Sequence, residues 1–421
     1  MSEIDVVVAG AGAAGMMAAL VAASRGARVA LLERDAGARN TLAASGGLFA
    51  AAGTRWQAAL GIDDSPARFA ADIAAKTGAA VDPRLRATVA THAARAADFL
   101  ADVAGLPVHL HRGQWPGHSA ERLHATPAES GAELHALLRA AVAPMLRDGA
   151  ALEALLPGGV EISEAGTRRR LTTRAVVLAT GGFGADPALR ARFIPGAAAA
   201  VHVGGALADG TGIRLAEQAG ATLACMDAYQ GQPHVSPHVI AGERPRFGAA
   251  LPAHGAVLVN RLGQRFAEER MGPSELTAHL LAQPGGVAVE IWGEAAQQAA
   301  LAGGPFRRAV ELGAVARCAT LAELAARFAL PVATLEATLA GWAPPFFAAE
   351  VTGALAHTQG GVVVDGSARV LRVDGTPIPG LFAAGGVACG ISGRGSAGYV
   401  PGNGLAQSFA LGLLAGESAA L

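Results

Sequence analysis

The stretch that most constrains this chain is its beginning, IDVVVAGAGAAGMMAALVAASRGARVALLERD, residues 4–35. A continuous β-branched run of this kind is what a strand buried on both faces of a parallel sheet looks like. GAGAAG follows at once, then an apolar helical pattern, then a second apolar run ending in Glu33. The order predicts a βαβ unit. Gly10, Gly12 and Gly15 form GxGxxG between strand and helix, where the first glycine permits a tight turn. The second admits a pyrophosphate close to backbone at the helix N-terminus, and the third lets helix and strand pack closely. Glu33 ends the second strand, where a carboxylate accepts hydrogen bonds from an adenosine ribose. NAD and FAD share this fingerprint, so by itself it leaves the dinucleotide open.

The same segment is apolar enough to imitate a signal peptide or a membrane span. It lacks a basic flank, and its glycines suit neither. With 421 residues, 52% of them hydrophobic, the chain has ample material for a large core and two joined domains. Its formal net charge of −1, without blocks of like charge, leaves no electrostatic footprint for nucleic acid or an anionic membrane. The three cysteines, Cys225, Cys318 and Cys389, are far apart in sequence and form no metal-ligand or disulfide spacing. No metal is expected, and a reducing cytoplasm fits.

Further along, alanine-rich helical patterns run from about Ser65 to Ala104 and from Gly131 to Leu146, and LTTRAVVLATGG reads as a buried strand ending at a glycine pair. GTGIRLAEQAGA predicts a short helix closed by Gly220. From about Asp227 the composition shifts to loops with Pro and His and then to another compact αβ segment. GGVVVD and GLFAAGG return to the glycine-flanked strands of the beginning. The expected architecture is α/β: a Rossmann-like nucleotide-binding domain built from both chain ends, residues 1–226 and 357–421, with an α+β capping domain inserted over 227–356. No second GxGxxG unit serves a nicotinamide partner.

Taken together, GAGAAG, Glu33, NTLAASGG (40–47), VVLATGGFG (176–184), GTGIRLAEQAGA (210–221), VNRLGQRFAEE (259–269), HTQGGVVVD (357–365) and GLFAAGG through GNGL resemble one flavoprotein family. It includes the flavin subunits of fumarate reductase and succinate dehydrogenase, soluble fumarate and urocanate reductases, and 3-ketosteroid dehydrogenases. The resemblance implies FAD. Its contacts would be Gly10, Gly12, Ala13, Ala14, Gly15, Glu33 and Arg34, then Thr41, Leu42, Ala44, Ser45, Gly46 and Gly47. Ala179, Thr180, Gly181, Gly385 and Gly386 would add two further turns. Gly402, Asn403, Gly404 and Leu405 would close over the ring, with a helix N-terminus facing it. Asn40 matches the position where membrane-complex members attach flavin through a histidine, so non-covalent FAD is implied.

Family chemistry is insertion or removal of a C=C bond beside a carbonyl or carboxylate, with hydride at flavin N5 and a side chain handling the proton. His357 matches the histidine that binds the substrate oxygen. Tyr399 stands where dicarboxylate-reducing members carry an arginine, and YVPGNG resembles the tyrosine-bearing loop of the steroid branch. The fumarate-type proton donor falls at Pro273, with Arg270 three residues earlier. Tyr399 is therefore the first candidate for acid/base work, with His357 and Arg270 beside it. Gln232 and His234 resemble a family substrate segment, as do Arg122 and His124 in WPGHSAERLHA, and Arg394 is the large polar group of the last loop. Three functions stay open: α,β-dehydrogenation or ene-reduction of a carbonyl compound, a carboxylate reductase using Arg270 and Arg122, or an electron-transfer flavoprotein subunit. Each needs an external electron donor or acceptor.

Overall fold

The structure is a computed structural model and describes residues 4–248 and 250–421. It divides into two compact units, one made of the chain up to Ile194, Val203–Tyr229 and His357–Leu421, the other of Pro195–His202 and Gln230–Ala356.

The first unit is organised by six strands. They are β1 (Val6–Ala9), β2 (Val29–Glu33), β3 (Leu146–Asp148), β4 (Ala175–Leu178), β5 (Arg369–Leu371) and β6 (Pro377–Ala383), in the order β5-β6-β4-β1-β2-β3. β1 lies parallel between β2 and β4, with Val6 opposite both Val29 and Ala175. β4 runs parallel to β6, and only the edge strand β5 is antiparallel. The four residues of β1 and the four of β4 are all buried, as the β-branched runs require. Consecutive strands leave β1 in opposite directions, so the crevice at the carboxyl ends of β1 and β4 is the topological switch point where such sheets bind ligands.

The helix α1 (Ala13–Ser24) is buried along nearly its whole length because the C-terminal helix α2 (Asn403–Ala419) packs against its outer side. Gly412 and Gly416 make that contact possible. A Cβ on either would lie 2.6 Å from a backbone carbonyl of α1, that of Ala14 or Ala18. The early apolar stretch is thus strand, turn and helix. The alanine-rich pattern of 65–104 is two helices, Pro66–Thr77 and Pro83–Asp102, divided where Gly78 takes φ 59° and Pro83 opens the next helix. One expectation fails. Of the run 171–182 only Ala175–Leu178 is the buried strand, while Leu171 and Thr172 end Thr167–Thr172, which forms a separate three-stranded meander with Ala150–Leu156 and Gly159–Glu164. Its outward side chains, Arg168, Arg169 and Arg170, are exposed, so this run has no second buried face.

The second unit is built on the long strand Phe346–Thr358. Val287–Trp292 and Ala316–Cys318 pair with it antiparallel, and Val201–His202 pairs with it parallel, which is why the short segment 195–202 joins this unit. Alternation along Val287–Trp292 supplies two cores. Ala288 and Trp292 pack with Phe306, Leu276 and Leu280, whereas Val289 and Ile291 pack with Leu324 and Leu335. Among the described residues no helix is long and apolar enough to cross a membrane.

Candidate active site

The carboxyl ends of β1, β2, β4 and β6 carry the turns singled out in the sequence. Gly10 adopts φ 102° and sits so close to the β4 exit that a Cβ there would lie 2.5 Å from the Ala179 carbonyl. Gly15 approaches the Gly10 carbonyl so closely that any side chain is excluded, whereas nothing stands within 4 Å of a Cβ at Gly12. Those environments match the roles of tight turn, helix–strand contact and open backbone face. Glu33 accepts the Ala11 N–H at 3.0 Å through Oε2, which holds its carboxylate across the turn. Gly386 packs on Gly182, and Thr180 Oγ1 accepts the Gly212 N–H at 3.1 Å.

The segment 40–47 is held from three sides. Asn40 Oδ1 accepts the Leu42 N–H, Thr41 Oγ1 accepts the Gly205 N–H, and Ser45 Oγ accepts the Gly47 N–H. Gly46 is exposed with free space around it. Arg34 is occupied elsewhere: its guanidinium bonds the Leu207 carbonyl and Asp209 on the surface.

A second group of residues gathers around the start of α2. Gly402, with φ 80°, caps the helix, and Asn403 and Gly404 are its first residues. Gly404 lies against His357, whose Cε1 would be 3.1 Å from a Cβ there. The rings of His357 and Tyr399 meet edge to face with centroids 6.0 Å apart. Burial lowers the His357 pKa to about 4 and raises that of Tyr399 to about 12, although the Gly402 N–H on the phenolic oxygen pulls the latter back. Both are uncharged at neutral pH.

Asn403 is fully buried, yet neither of its amide atoms has a partner, and the buried Gln359 leaves its Nε2 unpaired. Orphaned buried polar atoms cost roughly 1–3 kcal/mol each, so a site that retains them is shaped for a ligand carrying donors and acceptors. A flavin ring is such a ligand. The open Gly12 face, the glycine turns and these two amides together fit FAD.

Residues 5–405 match the FAD binding domain family. The chain belongs to that family. Its cofactor is therefore FAD, and this family member aligns over 99% of its length, at 28% identity, with fumarate reductase (cytochrome) of Shewanella frigidimarina, covering 77% of that protein. Among solved structures it resembles an open flavocytochrome c3 fumarate reductase, with TM-score 0.83, 25% identity, and coverage of 100% of this chain and 78% of the other. It also resembles the 3-ketosteroid-Δ4-(5α)-dehydrogenase of Rhodococcus jostii RHA1, with TM-score 0.77, 26% identity, and coverage of 100% and 97%. The FAD-binding chain is an oxidoreductase of the fumarate reductase type.

Other residues singled out in the sequence have different occupations. Arg122 is buried and clamped by Asp64, at 2.9 Å, and Asp72, at 2.6 Å, which takes all three guanidinium nitrogens. His124 is buried too, with Nε2 on Thr54 Oγ1 and Nδ1 on the Arg122 carbonyl, and its ring stacks on Phe49. The nitrogens of this pair, expected at the substrate, are all engaged within the protein. The segment instead supports the loop through Leu123, whose Cδ2 would be 2.6 Å from a Cβ on Gly402. Arg394 is exposed and paired with Asp227 at 2.6 Å.

Gln232, His234 and Arg270 belong to the second unit. There His234 Nδ1 lies 3.1 Å from the fully buried Glu290, whose Oε1 is unpaired. Arg270 is exposed beside a cavity of about 290 Å³ lined also by Arg265, Glu268, Glu269 and Trp342. Sequence reading passed over Gln359, although it stands inside HTQGG. The usable signal was a large polar side chain between a candidate histidine and two glycines.

Proposed function

We propose that this protein inserts or removes a C=C bond next to a ketone-type carbonyl, not in a simple dicarboxylate. Bound FAD supplies the hydride chemistry at one carbon of the bond. The observation that carries the substrate class is the pairing of His357 with Tyr399, both neutral at the working pH. A neutral imidazole and a phenol bind a carbonyl oxygen by hydrogen bonding, whereas a dicarboxylate favours fixed cations such as bidentate arginine. Arg122, one of the two arginines a carboxylate reading would draw on, is already neutralised by Asp64 and Asp72.

In this reading His357 orients the substrate oxygen and helps hold the charge that develops there. Tyr399 holds or delivers the proton at the neighbouring carbon, and the Gly402 N–H on its oxygen stabilises the phenolate left after proton transfer. Asn403, Gln359 and the start of α2 hold the flavin. Attachment is non-covalent, since the residue at the attachment position is Asn40, whose amide is not a nucleophile and accepts the Leu42 N–H. The 3-ketosteroid dehydrogenase likeness supports the carbonyl class, and the fumarate reductase likeness supports the reaction type. The electron partner is an external carrier, and the cytoplasm is the compartment that best suits three free thiols.

The test is anaerobic. The photoreduced yellow protein is mixed with cyclic enones, enoyl acids and unsaturated dicarboxylates, and the return of flavin absorbance is followed. Reoxidation by enones and not by fumarate is the expected result. Reoxidation by fumarate alone refutes the carbonyl reading and returns Arg270 to the role of donor.

A further inference from the structure

Directly after Tyr399 the chain turns through Val-Pro-Gly-Asn. The Asn403 N–H donates to the Val400 carbonyl at 3.1 Å, and Gly402, third in the turn, holds φ 80° and ψ −11°. Those angles behind a proline at the second position make a type II turn. Type I and type II turns differ chiefly in their central peptide, which is turned over by about half a rotation between them. Here that peptide is Pro401–Gly402, so its orientation decides whether the loop offers Tyr399 an N–H or a carbonyl oxygen.

His118 fixes the choice. Its Nε2 lies 2.8 Å from the Pro401 carbonyl oxygen, an atom that can only accept, so Nε2 carries the ring proton and Nδ1 is bare. The residue is 5% exposed and Nδ1 has no partner. Burial lowers the His118 pKa and keeps the ring neutral, although the bond to Pro401 pulls the other way. The histidine is itself tied down on both flanks. Gln114 donates to its carbonyl, its own N–H bonds the Trp115 carbonyl, and Asp72 accepts both the N–H and the hydroxyl of Ser119. Its ring lies tilted against Phe69 with centroids 6.2 Å apart. The same segment clasps the turn elsewhere: a Cβ on Gly117 would lie 3.4 Å from Val400, and Leu123 stands against Gly402.

In a trans peptide the N–H points opposite to the carbonyl oxygen, and Pro401–Gly402 is trans. With the Pro401 carbonyl held on His118, the Gly402 N–H is therefore turned away from the histidine, and the Tyr399 hydroxyl accepts it. The two hydrogen bonds polarise one peptide group in the same sense, so each strengthens the other.

We propose that His118 is a positioning residue: by holding the Pro401 carbonyl it locks the Pro401–Gly402 peptide with its N–H toward the Tyr399 hydroxyl, where it stabilises the phenolate left by proton transfer. The inference rests on the reading of Tyr399 as the group that handles the proton. A reversed peptide would set a carbonyl oxygen against the same phenolate and oppose its formation.

The test follows the photoreduced, FAD-loaded protein as cyclohex-2-enone reoxidises it without oxygen. H118F keeps a ring and removes the donor, so the saturating rate should fall roughly tenfold, the contribution of one hydrogen bond. The half-saturating enone concentration and the FAD content should stay as they are. H118Q, whose amide nitrogen reaches the place of Nε2, should recover most of the rate. H118N, whose amide stops short, should match H118F and takes its place if H118F fails to retain FAD. The decisive comparison is with Y399F, in which H118F should cause no further loss, because the histidine acts through the phenol. A full rate in H118F and H118N, or the same loss in Y399F as in the wild type, overturns the inference and leaves His118 a structural post. If Y399F alone reacts as fast as the wild type, the reading of Tyr399 fails and the inference falls with it.

Discussion

The loop at the start of α2 and the segment 122–124 make an instructive pair, because both carry a histidine and a large polar partner that the sequence nominated for substrate. In the first, His357 and Tyr399 meet edge to face and the adjacent Asn403 has no partner for either amide atom. In the second, every side-chain nitrogen of Arg122 and His124 is bonded, by Asp64, Asp72, Thr54 or a backbone carbonyl. A side chain whose hydrogen bonds are complete within the protein supports structure. One held in place with its polar groups unspent is available for chemistry. The difference lies in the accounting of partners and not in residue type.

The largest effect should come from breaking the first member. Tyr399→Phe keeps the ring and removes the hydroxyl, so FAD content should be unchanged while turnover falls by about 10²–10⁴. Single-turnover flavin reduction or reoxidation measures it, and undiminished turnover removes the tyrosine from the reaction. The second member should respond in stability instead. Arg122→Met leaves the buried Asp64 carboxylate without its partner, and removing one side of a buried pair costs about 3–5 kcal/mol. Urea unfolding reads that loss. A variant of full stability that has lost activity would show that Arg122 serves the substrate after all.

The smallest effect separates the two histidines. Burial lowers both to about 4 from an ordinary 6.5, so the folded state resists their protonation. Stability from each is complete above 6.5 and is lost as pH falls toward 4. His357→Gln and His124→Asn should each make the acid-side fall of the thermal midpoint shallower, but only the first should change turnover at neutral pH. Equal changes in turnover would erase the contrast between the regions.

Much of this was written locally. The β-branched runs, GxGxxG and Glu33 fix the βαβ unit and a dinucleotide-binding turn, because a buried parallel strand, a positive-φ turn at Gly10 and close packing at Gly15 each demand particular residues within a short span. The helix beginning at Asn403 was legible for the same reason. The start of β4 was not: Leu171 and Thr172 belong to a hairpin strand because they pair with Val160 and Gly159, which the run 171–182 does not itself reveal. The fates of Arg122, His124 and Arg394 were decided by carboxylates and carbonyls that folding brings up, such as Asp64 and Asp72 beside Arg122. The sequence by itself determined the backbone conformations of the dinucleotide turn and, through its set of motifs, the family and its FAD. Only tertiary structure decided which polar groups were used up and which were left without a partner, because hydrogen-bond partners are set by distance in space and not along the chain.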